Sequence, residues 1–324
     1  MRSLRALLLA SASLLMASGP ALALDGVVAS IKPLHSLVAG VMQGVGEPQL
    51  IVKGAASPHT YALRPSEAAA LEQAKLIFWI GHDMEAFLDK ALDSLGESAR
   101  IVELAEADGI TLLPFREGGA FEAHDHEDDH AGHAHDDDDE HEADGHDHAH
   151  GAFDMHFWLD PENAKAMVRS IEHALVEADP ENADSYRQNA AGLATQLDVL
   201  SAEIDAEIAP VRGKGFIVFH DAYHYFEERF GIEAAGSITV SPEVMPGAER
   251  IAAIRARVAE LGATCVFAEP QFEPKLVEVV IEGTGAKAGV LDPEGGSLTE
   301  GPELYFDLLR NLASSLRGCL TQAS

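Results

Sequence analysis

With 324 residues, 54 acidic side chains against 22 basic ones and a formal charge of −32 at neutral pH, the chain is longer than one ordinary core holds. It is also too acidic to engage nucleic acid or an anionic membrane surface through charge. Aromatic residues are only 6% of the total, so Val, Ile, Leu and Ala must fill the interior, and metal cations are the natural counter-charge.

At the start of the chain two arginines precede an apolar run that closes on Ala21-Leu22-Ala23, the small-x-small pattern a signal peptidase accepts. The pattern predicts a cleaved signal peptide over residues 1–23 and a mature start near Leu24. The apolar stretch falls short of the roughly 20 residues that span a bilayer. No cysteine follows the cleavage point, so a periplasmic protein without a lipid anchor is expected.

Beyond the signal, VVASI, QLIVK, KLIFWIG and RIVEL alternate with helix-like or turn-rich stretches, and FIVFH, TCVFAEP and KAGVLDP repeat the theme in the second half. Such alternation is the mark of βαβ units and parallel sheets. The expected fold class is α/β, with two lobes, each a parallel sheet flanked by helices, over residues 24–178 and 211–324. Between them, over residues 179–210, Tyr186, Leu193, Leu197, Leu200 and Ile204 recur at three- and four-residue steps. That spacing predicts one long, rigid linker helix, or else a long helix packed on one lobe.

Residues 122–150 break the pattern. They hold thirteen carboxylates and nine histidines, His124, His126, His130, His133, His135, His141, His146, His148 and His150, with no Lys, Arg or large apolar side chain. Nothing there offsets the entropy of folding, so a disordered loop is expected. Its imidazoles suit zinc, copper, nickel or iron, bound weakly at several auxiliary sites. The two cysteines, Cys265 and Cys319, are expected to form a disulfide in an oxidising compartment, clipping the C-terminal helix to its own lobe.

Seven histidines lie elsewhere. His220 directly follows the apolar run FIVF, His59 sits in the turn GAASPHTY after QLIVK, and His156 lies in DMHFWLDPEN, ahead of a helix that Asp160 can cap and Pro161 can start. Ligands of open α/β sheets collect beyond the carboxyl ends of the strands. Asp292 after GVL and Glu269 after CVFA occupy the same kind of place. Three histidines from three separated turns, meeting in a cleft, would make a zinc-type set with one position left over. No contiguous motif such as H-E-x-x-H supports this, and each histidine alone fits a structural role equally well. His35 and His173 read as residues on helix faces, His82 as a loop or helix start, and His224 as a neighbour one turn past His220.

The segments GAASPHTYALRPSE, MHFWLDPE, FHDAYHYFE, TCVFAEPQF and LDP, in this order and with the acidic histidine tract before the second, resemble the zinc-binding solute-binding proteins of bacterial ABC transporters, the ZnuA type of cluster A-I. The resemblance spans essentially the whole mature chain. It implies two α/β lobes joined by a long helix, zinc carried in the cleft, and release to an inner-membrane permease and its ATPase, with a monomer sufficient for docking. Carried over by motif, the ligands are His59, His156 and His220. Relatives that resemble manganese carriers have glutamate at the third place, and histidine here favours zinc. Some zinc-type relatives have glutamate just before the first ligand, where this chain has Pro58. Asp292 is then the expected fourth ligand, with water or Glu269 as alternatives. The Cys265–Cys319 pair also resembles the disulfide of zinc-type members. The expected function is zinc capture and delivery without enzymatic activity. The competing readings are a periplasmic zinc buffer or metallochaperone, and a zinc hydrolase using Glu269 or Asp221 as base.

Overall fold

A computed structural model describes residues 24–96, 98–116, 120–121, 153–239, 242, 245–262 and 264–322. The expected signal peptide and the histidine tract lie outside the described residues.

The N-terminal lobe runs through β1 (Val27–Ala29), α1 (Lys32–Val41), β2 (Gln49–Leu50), α2 (Pro65–Glu72), β3 (Leu76–Trp79), α3 (Ala86–Leu95) and β4 (Arg100–Glu103). Its four strands are parallel, in the order β2-β1-β3-β4. β1 and β3 are buried throughout, which is why they read as unbroken apolar runs: a parallel strand covered by helices on both faces has no polar side to show. A small antiparallel ribbon, β5 (Leu113–Pro114) with β6 (Phe153–Asp154), completes the lobe before α4 (Pro161–Ala178). The start of α4 follows local chemistry, with Pro161 in its first turn and the Asp160 carboxylate accepting a hydrogen bond from the Glu162 amide.

The long helix α5 (Ala183–Ile208) leads to the C-terminal lobe: β7 (Phe216–His220), α6 (His224–Phe230), β8 (Ala234–Thr239), α7 (Ala248–Leu261), β9 (Cys265–Ala268), α8 (Lys275–Ile281), β10 (Lys287–Val290) and α9 (Leu304–Gln322). Its parallel sheet has the order β10-β9-β7-β8. The first strand of each lobe therefore sits between its second and third, and both sheets reverse direction of winding there, at β1/β3 and at β7/β9. None of the described helices is long and apolar enough to cross a membrane.

The lobes are not packed independently. Tyr186, Leu193, Leu197, Leu200 and Ile204 form the buried stripe of α5, and α5 lies against α4, α1 and α9. At the crossing of α1 and α5 a Cβ on Gly40 would stand 2.8 Å from a methyl of Leu193, so the two helices approach closely there. Along β7 the side chains alternate: Phe216 and Val218 join one apolar cluster that continues through α9, α5 and the N-terminal lobe, while Ile217 and Phe219 belong to a smaller cluster under α7 and α8. A polar seam reinforces the shared core. The Lys32 ammonium donates to the carbonyls of Gly295, Gly296 and Leu298, Trp158 Nε1 donates to Pro293 O, and the Tyr305 hydroxyl donates to Trp158 O.

Cys265 on β9 and Cys319 on α9 form a disulfide, with Cα atoms 6.2 Å apart. β8 and the β5–β6 ribbon were not foreseen from the sequence. The β8 segment, AAGSIT, has mostly small residues broken by Gly236, and the ribbon has only two residues per strand.

Candidate metal centre

Three loops bring imidazoles together at the sheet edges. His59 lies in a short 3₁₀ turn, Pro58–Thr60, after β2; His156 follows β6 and begins a second such turn, Phe157–Leu159; His220 ends β7. His59 Nε2 is 3.3 Å from His156 Nε2, and His220 Nε2 is likewise 3.3 Å from it. Four nitrogens held tetrahedrally at the ~2.0–2.1 Å of a zinc–imidazole bond stand about 3.3–3.4 Å apart. The two measured edges thus match a tetrahedron around one ion. Among the described residues this is the one group of three or more His, Cys, Asp or Glu with all ligand atoms within 4.8 Å of each other.

Carboxylates behind the rings set their direction. His156 Nδ1 is 2.7 Å from Asp154 Oδ1, which also accepts the His156 amide, and His220 Nδ1 is 2.8 Å from Glu269 Oε1, which accepts the Tyr223 hydroxyl as well. With Nδ1–H donated backward, the Nε2 lone pair of each ring faces the common point. Trp158 and Phe272 flank His156 and His220 with ring centroids at 5.2 and 6.2 Å. His156 and His220 are buried, and His59 is half-buried.

The electrostatics suit a cation. Burial, and then the neighbouring imidazoles, hold His59 and His156 well below the ordinary histidine value, so both are neutral near pH 7. Burial would lower His220 too, but the facing Glu269 carboxylate outweighs it and the net shift is upward. Burial lifts the Asp154 carboxyl to about 6, against the hydrogen bond from the His156 amide. Neutral nitrogen donors in this number suit zinc and its neighbours better than magnesium or calcium, which take oxygen.

Asp292, expected as the fourth ligand, does not fall within the three-histidine group. Its Oδ1 accepts from Gln271 Nε2 at 2.8 Å and from the Glu294 amide, while Oδ2 is buried without a hydrogen-bond partner. β10, which Asp292 follows, lies two strands from β7, and the Asp292 carboxylate is turned to Gln271. Glu269 follows β9 itself and reaches His220, on the side of Nδ1 and away from the common point. The base roles considered for a hydrolase meet the same obstacle, since Glu269 is engaged by His220 and Tyr223, and Asp221 is ion-paired with Arg116.

The remaining histidines go elsewhere. His35 Nε2 meets Pro48 O, His82 Nδ1 lies 2.7 Å from Asp89 on the surface, His173 faces Glu177, and His224 opens α6 beside a cavity of about 590 Å³ that Arg116 also lines. The nine histidines from His124 to His150 lie outside the described residues. Asp154 was not singled out from the sequence. The signal that could have found it is the D-x-H spacing in DMH.

Residues 27–319 match the family model described as zinc-uptake complex component A, periplasmic. A high-affinity zinc uptake system protein ZnuA of Brucella suis biovar 1 is 56% identical over 334 residues, covering 99% of this chain and all of that protein. The protein of the same name from Yersinia pestis is 40% identical over 321 residues, with 98% of each chain covered. A crystal structure of ZnuA superposes with a TM-score of 0.73 at 24% identity, over 93% of this chain and 99% of that one, a likeness that shows the shared fold.

Proposed function

We infer that this chain, which belongs to the family of the periplasmic zinc-uptake complex component A, captures zinc in the periplasm and delivers it to an inner-membrane ABC importer. His59, His156 and His220 hold the ion, and the observation that carries this assignment is that His156 Nε2 lies 3.3 Å from the Nε2 atoms of both His59 and His220, with carboxylates fixing the His156 and His220 rings from behind. The ion meets donors already oriented, so little chain ordering opposes binding. Asp154 and Glu269 balance its charge from one bond further out. The fourth position falls to water, or to Asp292 if its carboxylate leaves Gln271.

On this reading residues 1–23 direct export and are removed, residues 122–150 add weak auxiliary sites, and the permease and its ATPase are the partners of a monomeric carrier. The role is transport without turnover, in keeping with Glu269 being held by His220 and Tyr223 and Asp221 by Arg116. Equilibrium titration of the chain lacking residues 1–23 tests the assignment. One tight zinc per chain is expected, lost on substituting His59, His156 or His220 by alanine and kept when residues 122–150 are deleted. Tight binding that survives all three alanine substitutions would sink it.

A further inference from the structure

Arg116 lies just past β5, on the ribbon whose other strand, β6, ends two residues before His156. Its side chain is only 14% exposed and reaches across to the C-terminal lobe. There Nε and Nη2 pair with the Asp221 carboxylate, and Nη1 donates to Glu227 Oε2 at 2.6 Å. Asp221 is the residue after His220, and Glu227 lies on α6. One guanidinium therefore ties the strand carrying one proposed ligand to the backbone carrying another, from the opposite lobe, without touching either imidazole.

Three further contacts act on the same ribbon. The Tyr225 hydroxyl of α6 accepts from the Leu113 amide at 2.8 Å and donates to Asp154 O at 2.5 Å, so it spans both strands. The carbonyl of Ala120 accepts from Arg250 Nη2 at 2.6 Å, and a Cβ on Gly236 would stand 2.5 Å from the Ala120 Cβ, so Ala120 lies directly on β8. Phe121 covers the Arg116 guanidinium at 4.1 Å. A ribbon of two paired residues per strand has almost no stability of its own, so its position is set by what it is clasped to.

We propose that Arg116 is a positioning residue for metal retention, clasping the β5–β6 ribbon to Asp221 and Glu227 so that His156 and His220 keep the spacing one zinc ion requires. The proposal rests on the three-histidine assignment. It adds that the rate of zinc loss is governed by a contact outside the ligand set. A planar guanidinium suits the task because it serves two carboxylates at once, which an ammonium does less well.

The test uses the full mature chain loaded with one zinc per molecule, chased with excess chelator in a stopped-flow instrument. Arg116→Ala is expected to release zinc roughly 10-fold faster, the lower end of the range for groups bonded directly to metal ligands, since Arg116 acts on them through Asp221 and the ribbon. Arg116→Lys should fall between it and wild type. Tyr225→Phe, which removes one hydroxyl and little else, should quicken release several-fold and serves if Arg116→Ala does not fold. Leu197→Ala, a truncation in the α5 stripe, should lower thermal stability while leaving the release rate alone. The visible spectrum of the cobalt-loaded Arg116→Ala protein should differ from wild type, reporting altered ligand geometry. Wild-type release rates in Arg116→Lys and Tyr225→Phe, or equal acceleration in Leu197→Ala, would overturn the proposal. A wild-type chain that retains no tight zinc would instead defeat the ligand assignment beneath it.

Discussion

His220 Nδ1 stands 2.8 Å from Glu269 Oε1 across the junction of β7 and β9, where the C-terminal sheet reverses its winding. The carboxylate fixes the ring's tautomer and raises its affinity for protons, and it should raise its affinity for zinc by the same means. Glu269→Gln keeps an acceptor but removes the charge. Zinc affinity should fall roughly 10- to 100-fold in competition titrations.

Proton release on loading follows from the unequal shifts among the three imidazoles proposed as ligands. His59 and His156 are held well below 6.5 and are neutral near pH 7, with one ring nitrogen free of a proton, whereas His220 is raised. Near neutrality the first zinc equivalent should therefore displace far fewer than three protons per ion, chiefly the one on His220. Calorimetry in buffers of different ionisation heat measures this number. Affinity should decline as pH falls through the His220 range, and more steeply only at lower pH where the other two begin to titrate.

Glu85 is fully buried behind β3, its Oε2 accepting from the amides of Ile80 and Gly81, and burial lifts its carboxyl to about 7. The folded state then binds more protons than the unfolded state between about 4.5 and 7, so this group's contribution to stability falls as pH rises through that window. Glu85→Gln should flatten the dependence and stabilise the zinc-free protein at pH 8 by at most about 3 kcal/mol. Thermal unfolding of both proteins at pH 5 and pH 8 checks it.

Removing the Cys265–Cys319 link by a double serine substitution should destabilise the chain by up to about 4 kcal/mol, chiefly by freeing the unfolded state. Denaturant titration measures the loss. The disulfide joins β9 to α9, remote from the imidazoles, so the zinc stoichiometry of the folded variant should stay at wild type.

How much of this was readable beforehand depended on the range of the contacts. Runs such as LIFW and FIVFH announce strands because helices bury both faces, and the stripe on α5 announces its helix because its spacing is local. Glu269 and Asp292 follow apolar strands in the same manner, yet only Glu269 reaches a ring, since adjacency of β9 to β7 is a property of strand order and not of either segment. The strand-end positions of His59, His156 and His220 were visible in the sequence, but the convergence of their Nε2 atoms was not. Nor were the roles of Asp154, Arg116 and Tyr225, whose partners lie on other elements or depend on ring orientation.

The seam in which Lys32 caps three carbonyls lies beside an apolar core that both lobes share. Swinging the halves apart would strip an ammonium of its acceptors and wet a continuous interior, a disruption closer to partial unfolding than to the turning of a hinge.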